Sequence, residues 1–408
     1  MRDGWTETIV SSLLSRSIGG VWGAEPGVDR EDVMVVRSTE FTKSGVLNYT
    51  TGVPRSITSG QLASRELSEG DILLEKSGGG PEQPVGRVVY VESDIPPRFV
   101  CSNFIQLLTP VRETVLPRFL FLSMWTWHFQ NKTLEYQAQT TGIRNLRTPD
   151  YLEQLINLPP IAEQKRIVDV VSSVDAYTDA LQQQVDAART ARNAVLHELL
   201  TAGGEDWTET TLGEVAQWSS GGTPQSGESK YYDGDIPWCV IGDLTEGEVF
   251  VTEKQITQDG LQNSSAKIVQ PGAVMIAMYG ASIGRTGLVA VPMATNQAIA
   301  CAIPNVELLD NLFLLIYLQT QKTLFVEAGQ GAAQPNISQT VLKRWPIPLP
   351  SIAEQKRIVE IVSSMDDVVQ AAESAVVEAK NLRSGLLSDL LSGEHEIPVS
   401  YDELLGAA

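Results

Sequence analysis

The stretch LPPIAEQKRIV at 158–168 returns as LPSIAEQKRIV at 349–359, and each copy opens about 40 residues of helical pattern. Around it, WTET at 5–8 returns at 207–210. The chain is one unit written twice: a globular segment, a long helix, a second globular segment and a second long helix. Repetition on this scale constrains the fold more than any local signal, because whatever architecture one half adopts the other half must also support. It predicts two similar working faces held at a fixed separation, a geometry suited to a two-part target.

With 408 residues and 42% hydrophobic content, the chain can build two or three real cores and is not disordered. Cys101, Cys239 and Cys301 form no metal spacing and leave an odd count, which favours a reduced, cytoplasmic protein. The start, MRDGWTETIV, lacks the layout of a signal peptide. The apolar runs Phe119–Phe129 and Leu312–Leu318 are too short for a membrane span.

The net charge of −20 opposes nucleic-acid binding, which ordinarily leaves a basic footprint. The acidity is uneven. Residues 1–158 carry 15 Lys/Arg against 18 Asp/Glu, 159–203 carry 4 against 6, 204–349 carry 7 against 15, and 350–408 carry 4 against 11. A DNA ligand would therefore require local basic clusters, or partner subunits that share the phosphate contacts.

The helical segments read as heptads. In the first, Ile167, Val171, Val174, Thr178, Leu181, Val185, Ala188, Arg192, Val195 and Leu199 recur in 4-3 steps. The second repeats the seam from Ile358 to Leu390 at an offset of 191, with Arg383 where the first has Arg192. Those arginines are either register devices or side chains that snorkel out of the seam. Ser351 and Glu354 have capping-box spacing, and Gly203 and Gly393 follow the last seam residues as helix stops. Two matched seams in one chain are most simply satisfied by antiparallel pairing. The expected organisation is a globular domain at 1–158, a helix at 159–203, a second domain at 204–349, a second helix at 350–395 and a tail at 396–408.

The globular segments align in order. Gly70–Leu74 corresponds to Gly272–Ile276, Gly86–Val89 to Gly284–Val289, Ser102-Asn103 to Thr295-Asn296, and Asn145-Leu146 to Asn336-Ile337, with one helical stretch each near 117–130 and 309–322. Each reads as an α+β domain built on a strongly bent sheet. Contact loops are expected at Arg37-Ser38-Thr39 with Lys43, at Ser77-Gly78-Gly79-Gly80 and Arg87, and at Arg144, Asn145 and Arg147. In the second segment the candidates are Gly221-Gly222-Thr223, Tyr231, the turn holding Tyr279, Ser282 and Arg285, and Asn336. Arg and Asn can each make two hydrogen bonds to a base edge, and Gly lets backbone approach phosphate.

Signals for catalysis fail. Asp150 with Glu163 and Lys165 mimics a metal-dependent nuclease pattern, but the second copy has Val341 where Asp150 maps, and helix capping accounts for Glu163 and Glu354 alike. Gly280–Thr286 lacks the phosphate-loop spacing and lysine. His128, His197 and His395 are scattered, so neither a metal site nor an autonomous enzyme is expected.

The doubled LPxIAEQKRIV, with GGTP…YYDGDIPWCVIGDL at 221–244, YGASIGRTGLV at 279–289 and ATNQAIA at 294–300, resembles the DNA specificity subunit of Type I restriction-modification systems over nearly the whole length. The first segment departs from that pattern, with Gly19-Gly20-Val21-Trp22-Gly23 in place of GGTP. The resemblance implies two pseudo-twofold-related α+β target recognition domains separated by two long helices in an antiparallel coiled coil. Each domain would read one half of a bipartite double-stranded DNA site while the helices set the spacer. It also implies two modification (methyltransferase) subunits that bind S-adenosylmethionine, and restriction subunits that use ATP and Mg. No cofactor belongs to this chain on that reading. The rival readings are a specificity subunit of a methylation-only or other defence complex, and a coiled-coil scaffold whose ends bind protein.

Overall fold

The computed structural model describes residues 4–78, 84–140, 143–203, 207–329, 335–398 and 400–402. Gly79, Gly80 and part of the expected tail lie outside the described residues. Contacts divide the chain into two units, Met1–Gln182 with Ser374–Ala408, and Gln183–Glu373. Each unit therefore contains one globular segment, half of the first long helix and half of the second.

In the first unit, strands Leu14–Gly19, Ile105–Pro110, Ile72–Glu75 and Val88–Tyr90 form an antiparallel sheet in that order. In the second, Ala216–Ser220, Ile299–Pro304, Val274–Ala277 and Thr286–Val289 repeat the order, and Glu248–Val249 adds a parallel edge. Both units also pair one strand in parallel with a later one: Glu31–Val36 with Phe99–Cys101, and Tyr232–Cys239 with Met293–Thr295. The single bent sheet expected for each domain is thus several separate ladders. The reason is visible at 102–105. Ser102 N donates to Val36 O at 2.8 Å and Ile105 N to Ser102 O at 2.9 Å, so the chain leaves one ladder through a tight turn and starts the next.

One apolar helix covers each central sheet, Pro117–Phe129 in the first unit and Asn311–Thr320 in the second. Pro117 suits the first helical turn, and Asp310 caps the other helix by accepting from Leu312 N and Phe313 N. Phe119 and Phe313 are fully buried at the centre of the two main cores.

The long helices run Ile161–Thr201 and Ile352–Ser392 and pack against each other. In the first unit Ile167, Val171 and Leu181 are buried, as are Val376, Ala379, Leu387 and Leu390. In the second, Val185 and Leu196 are buried, as are Ile358 and Val362. The direction of pairing is set by contacts such as Arg192–Asp366 and Arg189–Glu373, whose numbers fall on one helix as they rise on the other. Arg192 and Arg383 resolve in favour of specific pairing. Arg192 Nε donates to Asp366 Oδ1 at 2.8 Å and Nη2 to Oδ2 at 3.1 Å. Arg383 makes the same two-pronged pair with Asp175, and its guanidinium lies 4.7 Å from the Trp125 ring centroid. Asp366 lies 191 residues beyond Asp175, the offset that separates the arginines, so one device is used twice.

Glycine stops the helices as expected: Gly203 and Gly393 sit at φ +49° and +78°. The capping box is only half present. Ser351 Oγ accepts from Glu354 N at 3.3 Å, while the Glu354 carboxylate pairs with Arg357.

Candidate nucleic-acid interface

The repeated AEQKR sequence fixes how each helix leaves its globular segment. Gln164 is fully buried; its Oε1 accepts from Leu116 N at 2.8 Å, and its Nε2 donates to Thr114 O at 3.2 Å and Pro159 O at 2.8 Å. Gln355, also fully buried, accepts from Asp310 N and donates to Leu308 O and Pro350 O, each at 2.8 Å. Leu116 and Asp310 are the cap residues of the apolar helices, so each glutamine ties a long helix to the start of its sheet-covering helix. Sequence reading passed over these residues because a glutamine in a helical pattern looks like solvated surface. Their identical recurrence in both copies was the available signal. Glu163 is likewise structural, accepting from Trp5 Nε1 at 3.0 Å, and Lys165 pairs with Asp169 at 2.8 Å.

Beyond each buried strand the chain emerges at equivalent places. Ser77 and Gly78 pair with Asn145 and Arg144, and the Ser77 hydroxyl donates to Asn145 Oδ1. Tyr279 forms an isolated bridge with Asn336. Ser77 and Tyr279 each follow the first residue of the aligned strands, Ile72 and Val274, by five positions. The structure thus brings the predicted asparagines to the predicted loops in both units.

Around the first loop, Ser38, Thr39, Lys43 and Arg87 line one cleft. Lys43 and Thr39 are exposed. Arg87 differs from the expectation of a free contact residue. Its Nε and Nη2 donate to Glu75 at 2.8 and 2.7 Å and Nη2 also to Ser38 O at 3.0 Å, so a buried carboxylate neutralises it. The hydrogen bond to Glu75 raises the Arg87 pKa further. Arg37 is similarly held by Glu40, with Nη2 to Oε1 at 2.6 Å. Burial alone would raise the Glu40 pKa, but hydrogen bonds from the Arg37 side chain and backbone and from Thr39 outweigh it and leave the pKa lowered. Arg144 reaches Gln137 at 3.5 Å, and Arg147 donates to Glu135 O at 2.7 Å and pairs with Asp150 at 3.5 Å.

In the second unit, Ser282 and Arg285 share the turn after Tyr279, where Arg285 N donates to Ser282 O at 3.0 Å. Tyr279 is exposed, and Ser282 and Arg285 are half-buried. Ala277 stands where the first unit has Glu75, and no carboxylate pairs with Arg285 among the described residues. Gly280 and Gly284, at φ +68° and +80°, allow the turn. Thr223 is exposed and its hydroxyl donates to Gln297, a residue not singled out in the sequence. Tyr231 is half-buried beneath the Lys230 ammonium, 5.1 Å from its ring centroid. Gly221 and Gly222 are buried. A Cβ on Gly221 would fall 1.9 Å from Thr295 O, and one on Gly222 2.2 Å from Ser265 Oγ, so close packing explains both glycines.

Comparison with known proteins bears on the fold and the family. The Type I restriction enzyme EcoBI specificity subunit of Escherichia coli is 24% identical over 400 residues, spanning 87% of this chain and 82% of that protein. A chain solved in work on complex assembly and conformational transition of the type I R-M system shares the fold with a TM-score of 0.67 at 20% identity, covering 96% of this chain and 98% of that one. The crystal structure of the HsdS subunit from Thermoanaerobacter tengcongensis matches with a TM-score of 0.52 at 21% identity, covering 97% and 98%. The description Type I restriction modification DNA specificity domain fits residues 38–188 and 204–379, and with most of both globular segments and much of both helices matched, the chain belongs to that family.

Proposed function

We propose that each globular unit reads one half of a bipartite double-stranded DNA site, without catalysis by this chain. The observation that carries this is the duplicated placement of an asparagine beside the segment that leaves a buried strand, Asn145 at Ser77 and Asn336 at Tyr279. Asparagine suits an adenine edge, Tyr279 and Ser282 can donate to phosphate or base, and Arg285 can approach guanine. Thr223, Tyr231 and Lys43 lie at the margins as phosphate contacts, while Arg37 and Arg87 hold loops in shape.

The paired helices set the length of unread DNA and dock two methyltransferase subunits. Those subunits bring S-adenosylmethionine, and restriction subunits bring ATP and Mg chemistry; the complex works in the cytoplasm. A chain with net charge −20 would bind DNA weakly and with strong salt dependence alone, and far more tightly when partners supply positive charge. Among the described residues, no helix is long and apolar enough to cross a membrane.

Exchanging 204–349 for the matching segment of a relative tests the reading. One half of the methylated sequence should change while the other stays. Unchanged methylation sites would favour a protein-binding scaffold. Removing one heptad from each helix should shorten the spacer, and an unaltered spacer would refute the role given to the helices.

A further inference from the structure

A cleft lies beside the first reading loop. It measures about 680 Å³ and its lining includes Trp125, His128 and Phe129 together with Lys43. That volume falls within the range of small-molecule and cofactor sites. Phe129 is 56% exposed although its ring lies 4.2 Å, centroid to centroid, from that of Trp125. An exposed phenylalanine over a second aromatic forms a stacking platform. His128 has a buried Nδ1 without a hydrogen-bond partner, an arrangement that is costly unless something satisfies it. Burial lowers the His128 pKa, so the neutral ring keeps one donor and one acceptor. Ser38, Thr39 and Thr42 contribute hydroxyls, and the exposed Lys43 supplies a cation at the margin.

A planar ring with polar edges, attached to an anion, matches these features together. We propose that this cleft receives one nucleobase of the bound DNA, rotated out of the duplex, stacked on Phe129 and hydrogen-bonded by His128, with its phosphate near Lys43. The proposal rests on the reading of the first unit as a DNA reader. It applies to that unit alone. Aligning Pro117 with Asn311 places Gln319, Lys322 and Thr323 where the first unit has Trp125, His128 and Phe129, so the aromatic platform has no counterpart. The cost of unpairing is least for a base that already lacks a partner, which gives the test its sign.

The full chain, assembled with its methyltransferase subunits, is titrated with duplexes carrying a single abasic residue opposite each base of the half-site assigned to 1–158. Opposite the captured base, affinity should rise fivefold or more over intact duplex, and Phe129→Ala should abolish that gain. His128→Phe should reduce the gain with Phe129 retained. Any gain at the methylated adenines would be insensitive to Phe129 and is thereby set apart. Tight, sequence-specific binding with no Phe129-dependent gain at any position overturns the proposal and leaves the DNA-reading assignment standing. Quenching of tryptophan fluorescence by free deoxynucleoside monophosphates that is lost in Trp125→Phe, without such a gain, also overturns it in favour of a free-nucleotide site. Binding indifferent to the half-site sequence sinks both.

Discussion

Replacing Gln355 with leucine is the sharpest probe of how the helices are fixed to the reading domains. The change keeps most of the volume and removes three hydrogen bonds of 2.8 Å, to Asp310 N, Leu308 O and Pro350 O. A typical bond contributes a net of about 1 kcal/mol, and a buried group left unpaired costs about 1–3 kcal/mol. Leucine recovers part of this through apolar burial, so the expected loss is roughly 3 kcal/mol, taking about 1 kcal/mol for each bond. For a unit of this size that corresponds to a fall in Tm of about 6–12 °C. Calorimetry should show the transition of the unit containing Gln183–Glu373 moving down, with the other largely unmoved. Gln355→Glu should do at least as badly, because it keeps an acceptor for Asp310 N but buries a charge and loses both donors. A loss below about 1 kcal/mol for Gln355→Leu would mean that water or neighbouring groups replace the side chain, and the clamp would not be what orients the helix.

Gly221→Ala should abolish soluble expression or cost more than about 3 kcal/mol, since the new methyl meets backbone that cannot yield; near-normal melting would refute the packing explanation. Arg192→Ala should cost less than about 1 kcal/mol, because its Asp366 partner is exposed. Arg383→Ala should cost more, about 2 kcal/mol, through lost contact with Trp125, and equal losses in urea melts would contradict the added ring contact. The lowered Glu40 pKa gives a stability contribution that is full above the unfolded value of about 4.3 and fades as pH falls through the folded value. The gap between wild type and Glu40→Gln should therefore be widest near neutrality and close as pH falls below the ordinary glutamate range, and a gap that persists in strong acid would dismiss the linkage. Tyr279→Ala and Asn336→Ala should each weaken DNA binding about tenfold, with melting preserved, if they face bases as proposed.

The sequence alone determined the duplication, the two helices, their heptad seams and glycine stops, and the family. All of these depend on periodicity and on verbatim repetition, which local sequence carries directly. It also located the aligned turns, because Gly70 and Gly272 both need positive φ, at +89° and +90°, before a buried strand. What it could not decide was which polar residues are free. Arg37 and Arg87 look identical to Lys43 on paper, yet Glu40 and Glu75 are folded against the two arginines from three and twelve residues away.

Only the tertiary structure distinguished neutralised cations from available ones, buried glycines from contact glycines, and a helix-surface glutamine from the clamp that joins helix to domain. Burial and pairing belong to the packed chain: a side chain's cost or reward depends on what lies within a few ångströms of it, and those neighbours come from near and distant parts of the sequence alike.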